Sequence, residues 1–506
     1  MKKILSLVLA AMMLAASFTA FAESEKLSAD ENPLVTDQDT VVISLASDLE
    51  SLDPIIISTI VTNEVMSNAY ESLVNYDLQG NVEPGIAKEW TYDEDTLTYT
   101  ITLRDDVYFH DGTLLTADDV AFSLELGKQT GRFSLSCNYI DTIEVIDPTT
   151  LKVKLTTNYS PFLYFVAINL DIICKATYEE YGDLSQVENG TGPYRMVEYT
   201  PGDRVVFEAF DQYYGEKPAI QNLIFKIIPD ANTQMLALEN GEINLSRDFS
   251  MNNIDNILAN PQLDIYSGES GNVYYVGMNQ SFEPFQDVRV RQAINYAIDR
   301  EFIMEVCEEG YAEPANSIAN KGMLGYTEDA TYYEYNPEKA RELLAEAGYA
   351  DGLTIPSILC REGKFKSAAE VIQEDLAAVG ITTEIDVRDA NGFSDDFKKG
   401  NFALCVTSLN LSQDAHHATM SFTSTGYLNY FSISDPELDA MAEEAAQEQD
   451  TEKRIAIYHD MLCKVADDAL YAPLYYPQKV WAVTSGLTNT TYDRFVGVLA
   501  KYMIWE

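Results

Sequence analysis

Apolar and polar positions change period repeatedly along this chain of 506 residues. Val41–Leu45 is a short apolar run of strand type, and helical spacing follows over Asn63–Leu73. Thr96–Leu103 alternates strictly, with Leu97, Tyr99, Ile101 and Leu103 separated by threonines, which predicts a half-buried strand. Thr116 with Asp119 three residues on predicts a capped helix through Leu126. Ile143–Val145 and Leu151–Leu155, joined by Asp147-Pro148, predict a hairpin. Strands are expected at Val205–Phe207, Leu223–Ile228, Ile381–Ile385 and Ala403–Thr407. Between and after them, helices are expected from Asp230 to Asn240, over Asp287–Ile303, from Asn336 to Gly348 and over Ser367–Val379. Two more run from Asp435-Pro436 to Gln449 and over Thr451–Ala466. Helices and strands interleave throughout, which predicts an α/β protein with mixed sheets.

The length accommodates two to four folding units at roughly 100–200 residues each. Charge narrows the partners. With 81 acidic and 33 basic side chains the net charge is -48, a field that repels phosphate backbones and anionic lipid, so no nucleic acid is expected. At the N-terminus, Lys2 and Lys3 precede an apolar run to Ala16, followed by Ala20-Phe21-Ala22. That is a cleavable secretory signal, too short to span a bilayer, expected over residues 1–22. A polar, flexible leader is expected over 23–39. The mature chain is then expected in the periplasm or another extracytoplasmic compartment. Six cysteines at wide, irregular spacing include no C-x-x-C pair. Cys360 and Cys405 each fall in an apolar run that reads as a strand, so a disulfide between them and two small buried hydrophobes are equally open. The chain offers no nucleophile elbow, no zinc-protease motif, no P-loop and no dinucleotide fingerprint. No catalytic residue and no cofactor is assigned, and a secreted hydrolase is the least favoured reading.

Several blocks carry a resemblance. Tyr70-Glu71-Ser72-Leu73-Val74 leads to Asn81-Val82-Glu83-Pro84-Gly85, then Val107-Tyr108-Phe109-His110-Asp111-Gly112-Thr113 and Thr116-Ala117-Asp118-Asp119-Val120. Gly190-Thr191-Gly192-Pro193-Tyr194, Val290-Arg291-Gln292-Ala293-Ile294 and Ala297-Ile298-Asp299-Arg300 continue the pattern. These blocks resemble the family 5 solute-binding proteins of ABC importers, which take dipeptides, oligopeptides and nickel complexes. The resemblance implies a two-lobed periplasmic binding protein fold, class II-like with mixed sheets, and an extra subdomain on the first lobe. Mapped on this chain, the first lobe covers 40–65, 191–273 and 483–506, the subdomain 66–190, and the second lobe 274–482. Tyr275, Asn279 and Pro477 are expected at the hinge. The implied partners are a short peptide and an ABC permease with its ATPase, and the implied state is a monomer.

The resemblance also implies where a ligand sits. Peptide-binding relatives read G-W-x-x-D-x-x-D-P after a second-lobe strand, and the first Asp takes the peptide ammonium. Aligned without gaps, Ser408 stands at the Trp position, Leu411 at the ammonium Asp, and Asp414 at the second Asp. Leu411 cannot make a charge-assisted contact to an amine, which leaves Asp414 or Asn410 as candidates. Arg361 stands where dipeptide binders hold the ligand carboxylate, a task its planar fork suits. Tyr427 is a further candidate for the cleft wall. His110 and His459 are read as structural. His416 is placed with the ligand-binding residues, and with His417 it serves a metal only under the alternative reading, capture of nickel, a metal chelate or another small polar solute.

Overall fold

The computed structural model describes residues 24–57, 59–76, 81–130, 133, 137–410, 414–490, 492–493 and 497–506. The expected signal sequence over 1–22 and the candidate Leu411 lie outside them.

Ten strands form one path: Ile385–Arg388, Ile358–Arg361, Leu404–Asn410, Asn272–Met278, Tyr471–Thr484, Leu245–Ser246, Thr40–Leu45, Asn222–Ile227, Arg204–Ala209 and Tyr194–Thr200. Leu263–Glu269 and Ala312–Pro314 add to Tyr471–Thr484. Thr40–Leu45 pairs in parallel with both Asn222–Ile227 and Leu245–Ser246. At the far end Ile358–Arg361 pairs in parallel with both Ile385–Arg388 and Leu404–Asn410.

The strand Tyr471–Thr484 belongs to both halves. Its residues 478–484 pair with Leu263–Glu269, and its residues 471–475 pair with Asn272–Met278. The chain therefore passes between the two halves twice, at Ser270-Gly271 and at Tyr476-Pro477, through a ribbon where Ala312–Pro314 of the second lobe also pairs with the crossing strand. Pro477 stands at the second crossing. Tyr275 and Asn279, expected at the first, sit instead inside the second lobe. Tyr275 is paired between Thr407 and Pro473, and Asn279 donates its Nδ2 to Gly400 O at 3.0 Å. The run Leu263–Met278 conceals the break because both of its halves keep strand alternation.

One apolar cluster joins Val41, Ile43, Phe207 and Phe225 of the first lobe to Tyr99, Val153, Phe165 and Ile172 of residues 66–190. Those residues carry their own antiparallel sheet, in the order Ala87–Asp93, Thr98–Leu103, Thr150–Leu155, Ile140–Asp147. The second lobe fills both faces of its sheet. Val276, Ile358, Cys360 and Leu404 pack on one face, and Val273, Leu359, Cys405 and Leu462 on the other. Cys360 and Cys405 thus lie on adjacent strands but face opposite layers, and all six cysteines are free thiols.

The sequence blocks meet in space. His110 bonds Glu188 Oε1 through Nδ1 (2.6 Å) and Gly192 O through Nε2 (3.0 Å). A Cβ on Gly190 would come within 2.0 Å of Ala69 O, so only glycine permits this approach. Arg291 and Arg300 are structural too. Arg291 donates to Asp468 O and Phe285 O, and Arg300 to Pro473 O, Asn295 O and Tyr333 O. They tie two helices to the base of the crossing strand.

Two expectations change. The helix expected over Asp287–Ile303 is two, Val288–Ala297 and Arg300–Glu308, because Ile298 turns extended and Asp299 caps the second by accepting from Phe302 N. The leader expected to be flexible is tied down from Ser24 onward. Lys26 Nζ donates to Leu258 O (3.0 Å) at the end of the helix Ile254–Ala259 and to Leu263 O (2.8 Å) at the start of the strand Leu263–Glu269.

Candidate functional site

In open α/β sheets ligands bind beyond the carboxyl ends of the parallel strands, where loops diverge and backbone groups are free. In the first lobe those ends are Leu45, Ile227 and Ser246; in the second they are Arg361, Arg388 and Asn410. The ribbon through 270–271 and 476–477 joins the two lobes beside the two sets of ends.

The first-lobe wall is polar and braced. Ser44 Oγ donates to Gln234 Oε1 at 2.6 Å, and the same oxygen accepts from Ser246 Oγ and Asp248 N. The backbone thereby presents Arg247, which forms an ion pair with Glu64, both nearly inaccessible to solvent. Burial pushes the Glu64 carboxyl up, and the Arg247 and Lys479 charges oppose that shift. Lys479, just past the second crossing, is held below its ordinary value first by burial and then by Arg247. It feels Glu64 and Asp248 from its own lobe and Lys364 from the other. Lys364 in turn bonds Glu308 at 2.5 Å. Four cations, Arg247, Lys479, Lys364 and Arg361, therefore gather near the ribbon of a strongly acidic protein.

Arg361 ends its strand with its guanidinium over Phe365 (4.1 Å) and Phe393 (5.2 Å), and its buried Nε has no hydrogen-bond partner. Phe365 stacks on Tyr274, which stacks on Tyr475. Burial raises the Tyr274 hydroxyl to about 12, so it stays protonated as a donor. Ser408 is opposite Tyr274 in register, and Asn410, exposed, is opposite Asn272. Arg361, Ser408 and Asn410 thus share one edge of the second-lobe sheet.

The structure places the remaining candidates elsewhere. Asp414 is fully buried and its carboxylate meets the guanidinium of Arg454, itself over the Tyr164 ring at 5.0 Å. His416 is buried against Tyr159 and Phe165 of the subdomain, and His417 Nε2 bonds the Tyr427 hydroxyl at 2.9 Å. These residues form the seam between the second lobe and the subdomain. His459 lies on a surface helix between Asp329 and Asp460. Among the described residues no three His, Cys, Asp or Glu side chains come together as a metal site. Arg247, Glu64, Lys479, Lys364 and Glu308 escape a reading of the sequence. Isolated charges in an acidic chain look like solvated surface, and only the position of Arg247 just past the short strand Leu245–Ser246 could have marked one of them.

Two lobes on a narrow ribbon, facing each other with strand carboxyl ends, define a solute-binding protein that captures its ligand between them. The chain belongs to the bacterial extracellular solute-binding proteins, family 5, whose pattern matches residues 81–429. It is 31% identical over 392 residues to the glutathione-binding protein GsiB of Salmonella typhimurium, covering 76% of this chain and 73% of that one. Among solved structures, HbpA2 from Haemophilus parasuis superposes with a TM-score of 0.83 at 26% identity, covering 92% of this chain and 100% of that one. The ABC transporter substrate-binding protein CtaP from Listeria monocytogenes gives 0.82 at 25%, covering 92% and 99%.

Proposed function

We propose that this chain captures short peptides between its lobes by bending at residues 270–271 and 476–477. It then delivers them to an ABC permease and its ATPase outside the cytoplasm, acting as a monomer and without chemistry of its own. The lobes follow the ranges given above, with the crossings moved to the ribbon. The observation that carries the reading is the gathering of Arg361, Lys364, Arg247 and Lys479 where the carboxyl ends of both lobes' strands meet. A peptide brings at least one carboxylate, and an arginine whose fork is held between two aromatic rings meets a carboxylate with little entropy left to lose. The cation set suits peptides with more than one carboxylate, and the relative named for glutathione fits that chemistry. Among the described residues no helix is long and apolar enough to cross a membrane.

The test is a thermal-shift panel of di- to pentapeptides, glutathione, nickel-histidine and neutral sugars. A ligand at 100 times its Kd adds about 2.7 kcal/mol to the folded state. We expect stabilisation by peptides with a free carboxylate, and Arg361→Ala to weaken them about tenfold or more while sparing carboxyl-capped peptides. Equal loss for capped and free peptides would remove Arg361 from the site, and stabilisation by nickel-histidine alone would replace peptides with metal chelates.

A further inference from the structure

A second feature lies away from the cations. Between the subdomain and the second lobe runs an open groove of about 490 Å³. Tyr139, Asn158 and Tyr159 line one side, and His416, Asp439 and Glu443 are among those lining the other. Among the described residues no lysine or arginine lines it, in contrast to the four cations near the ribbon.

His416 is the informative residue. Its ring is 3% exposed, borders the groove, and has no hydrogen-bond partner on either nitrogen. A buried polar group left unpaired destabilises the fold, a penalty that a ligand reaching it would recover. Burial holds this imidazole uncharged at neutral pH, so one nitrogen offers a lone pair. Beside it the half-buried Tyr139 ring stacks on Tyr159 at 3.6 Å, and because Tyr159 is buried between Tyr139 and Phe165, the outer face of Tyr139 is the one that can attract a cation. Of the two carboxylates, Asp439 is engaged by Ser424 N (2.7 Å) and Oγ (2.5 Å). Glu443 is exposed and accepts only a long bond from Gln447 Nε2 (3.3 Å).

We propose that this groove is a subsite for an organic cation, a protonated amine or guanidinium carried on a bound peptide or present as a free small molecule. Neutral imidazole, an aromatic face and an available carboxylate are the partners such a group uses, and none of the described residues lining the groove is a lysine or arginine that would hold an anion. The peptide arm of the proposal rests on the capture reading above; the free-cation arm does not. A zwitterionic solute would then lie with its carboxylate toward the ribbon and its cation toward the seam.

The experiment is calorimetric titration of the full mature chain with N-acetyl-trialanine, N-acetyl-Ala-Arg-Ala and agmatine, repeated on Glu443→Gln and His416→Phe, so that the arginine side chain is the one peptide cation. Circular dichroism checks that both variants fold. We expect N-acetyl-Ala-Arg-Ala to bind about tenfold tighter than N-acetyl-trialanine, and Glu443→Gln to erase most of that margin while leaving N-acetyl-trialanine, which carries no cation, unchanged. Agmatine binding that Glu443→Gln abolishes supports the free-cation source, and supports the subsite even if no peptide binds and the capture reading fails. Equal affinities for the two peptides with no binding of agmatine would overturn the subsite while leaving peptide capture intact. A margin that survives in both variants would overturn it as well.

Discussion

The carboxylate of Asp414 meets the Arg454 guanidinium inside the second lobe, and removing either partner leaves a charge stranded there. Asp414→Ala is expected to destabilise the fold by about 3–5 kcal/mol, and pairing it with Arg454→Met to recover much of that loss. Denaturant melts of the three variants check this; full stability with lost peptide affinity would put Asp414 on the ligand instead. His416 carries a pH signature. Burial pushes its pKa from 6.5 down to about 3. From pH 6.5 down toward 3 the unfolded chain takes up a proton that the folded chain refuses. The stabilisation is therefore complete above pH 6.5 and is lost as the pH falls, by up to about 1.4 kcal/mol per pH unit. His416→Phe should flatten that slope in melts taken between pH 7 and 4.5, and an unchanged slope would contradict the burial argument. Sequence alone cannot distinguish a buried His416 from a solvated one, since its surroundings come from Tyr159 and Phe165, some 250 residues away.

At the scale of elements, local periodicity did most of the work. The Thr98–Leu103 strand, the helix Ala117–Lys128 with Asp119 reaching back to Thr116, and the helices that Asp230, Asn336 and Asp435 cap were legible because their signals lie within a few residues. The crossings and the partners of the charged groups were not, because they depend on pairing between distant segments. The helix Pro436–Gln447 illustrates such a pairing. Its last carbonyls lack partners within the helix, and the subdomain supplies them. Asn158 Nδ2 donates to Gln447 O (2.7 Å), Ser160 N to Ala446 O (2.8 Å) and Ser160 Oγ to Ala445 O (3.3 Å). Any lobe motion that separates the subdomain from this helix breaks the clasp. Asn158→Ala removes one donor, a loss of about 1 kcal/mol, and should speed ligand release about fivefold. Stopped-flow dissociation reads this, and an unchanged off-rate would show that the clasp stays shut through ligand exchange.

For the whole molecule, charge is distributed against the average. Within a net charge of -48, four cations converge near the ribbon, two of them, Arg247 and Lys364, already paired with Glu64 and Glu308. The two lobes keep separate apolar cores, so bending at two short crossings leaves those cores intact and acts on the seam between the subdomain and the second lobe. The motif blocks announced this architecture, because residues such as His110, Gly190, Arg291 and Arg300 hold the lobes together internally; they leave open what the cleft contains. Capture by closure is tested most directly by small-angle X-ray scattering of one preparation, with and without a saturating peptide found in the thermal-shift panel. A smaller radius of gyration with peptide bound is the predicted result. Superimposable curves at full occupancy would mean that the ligand binds a body that does not close.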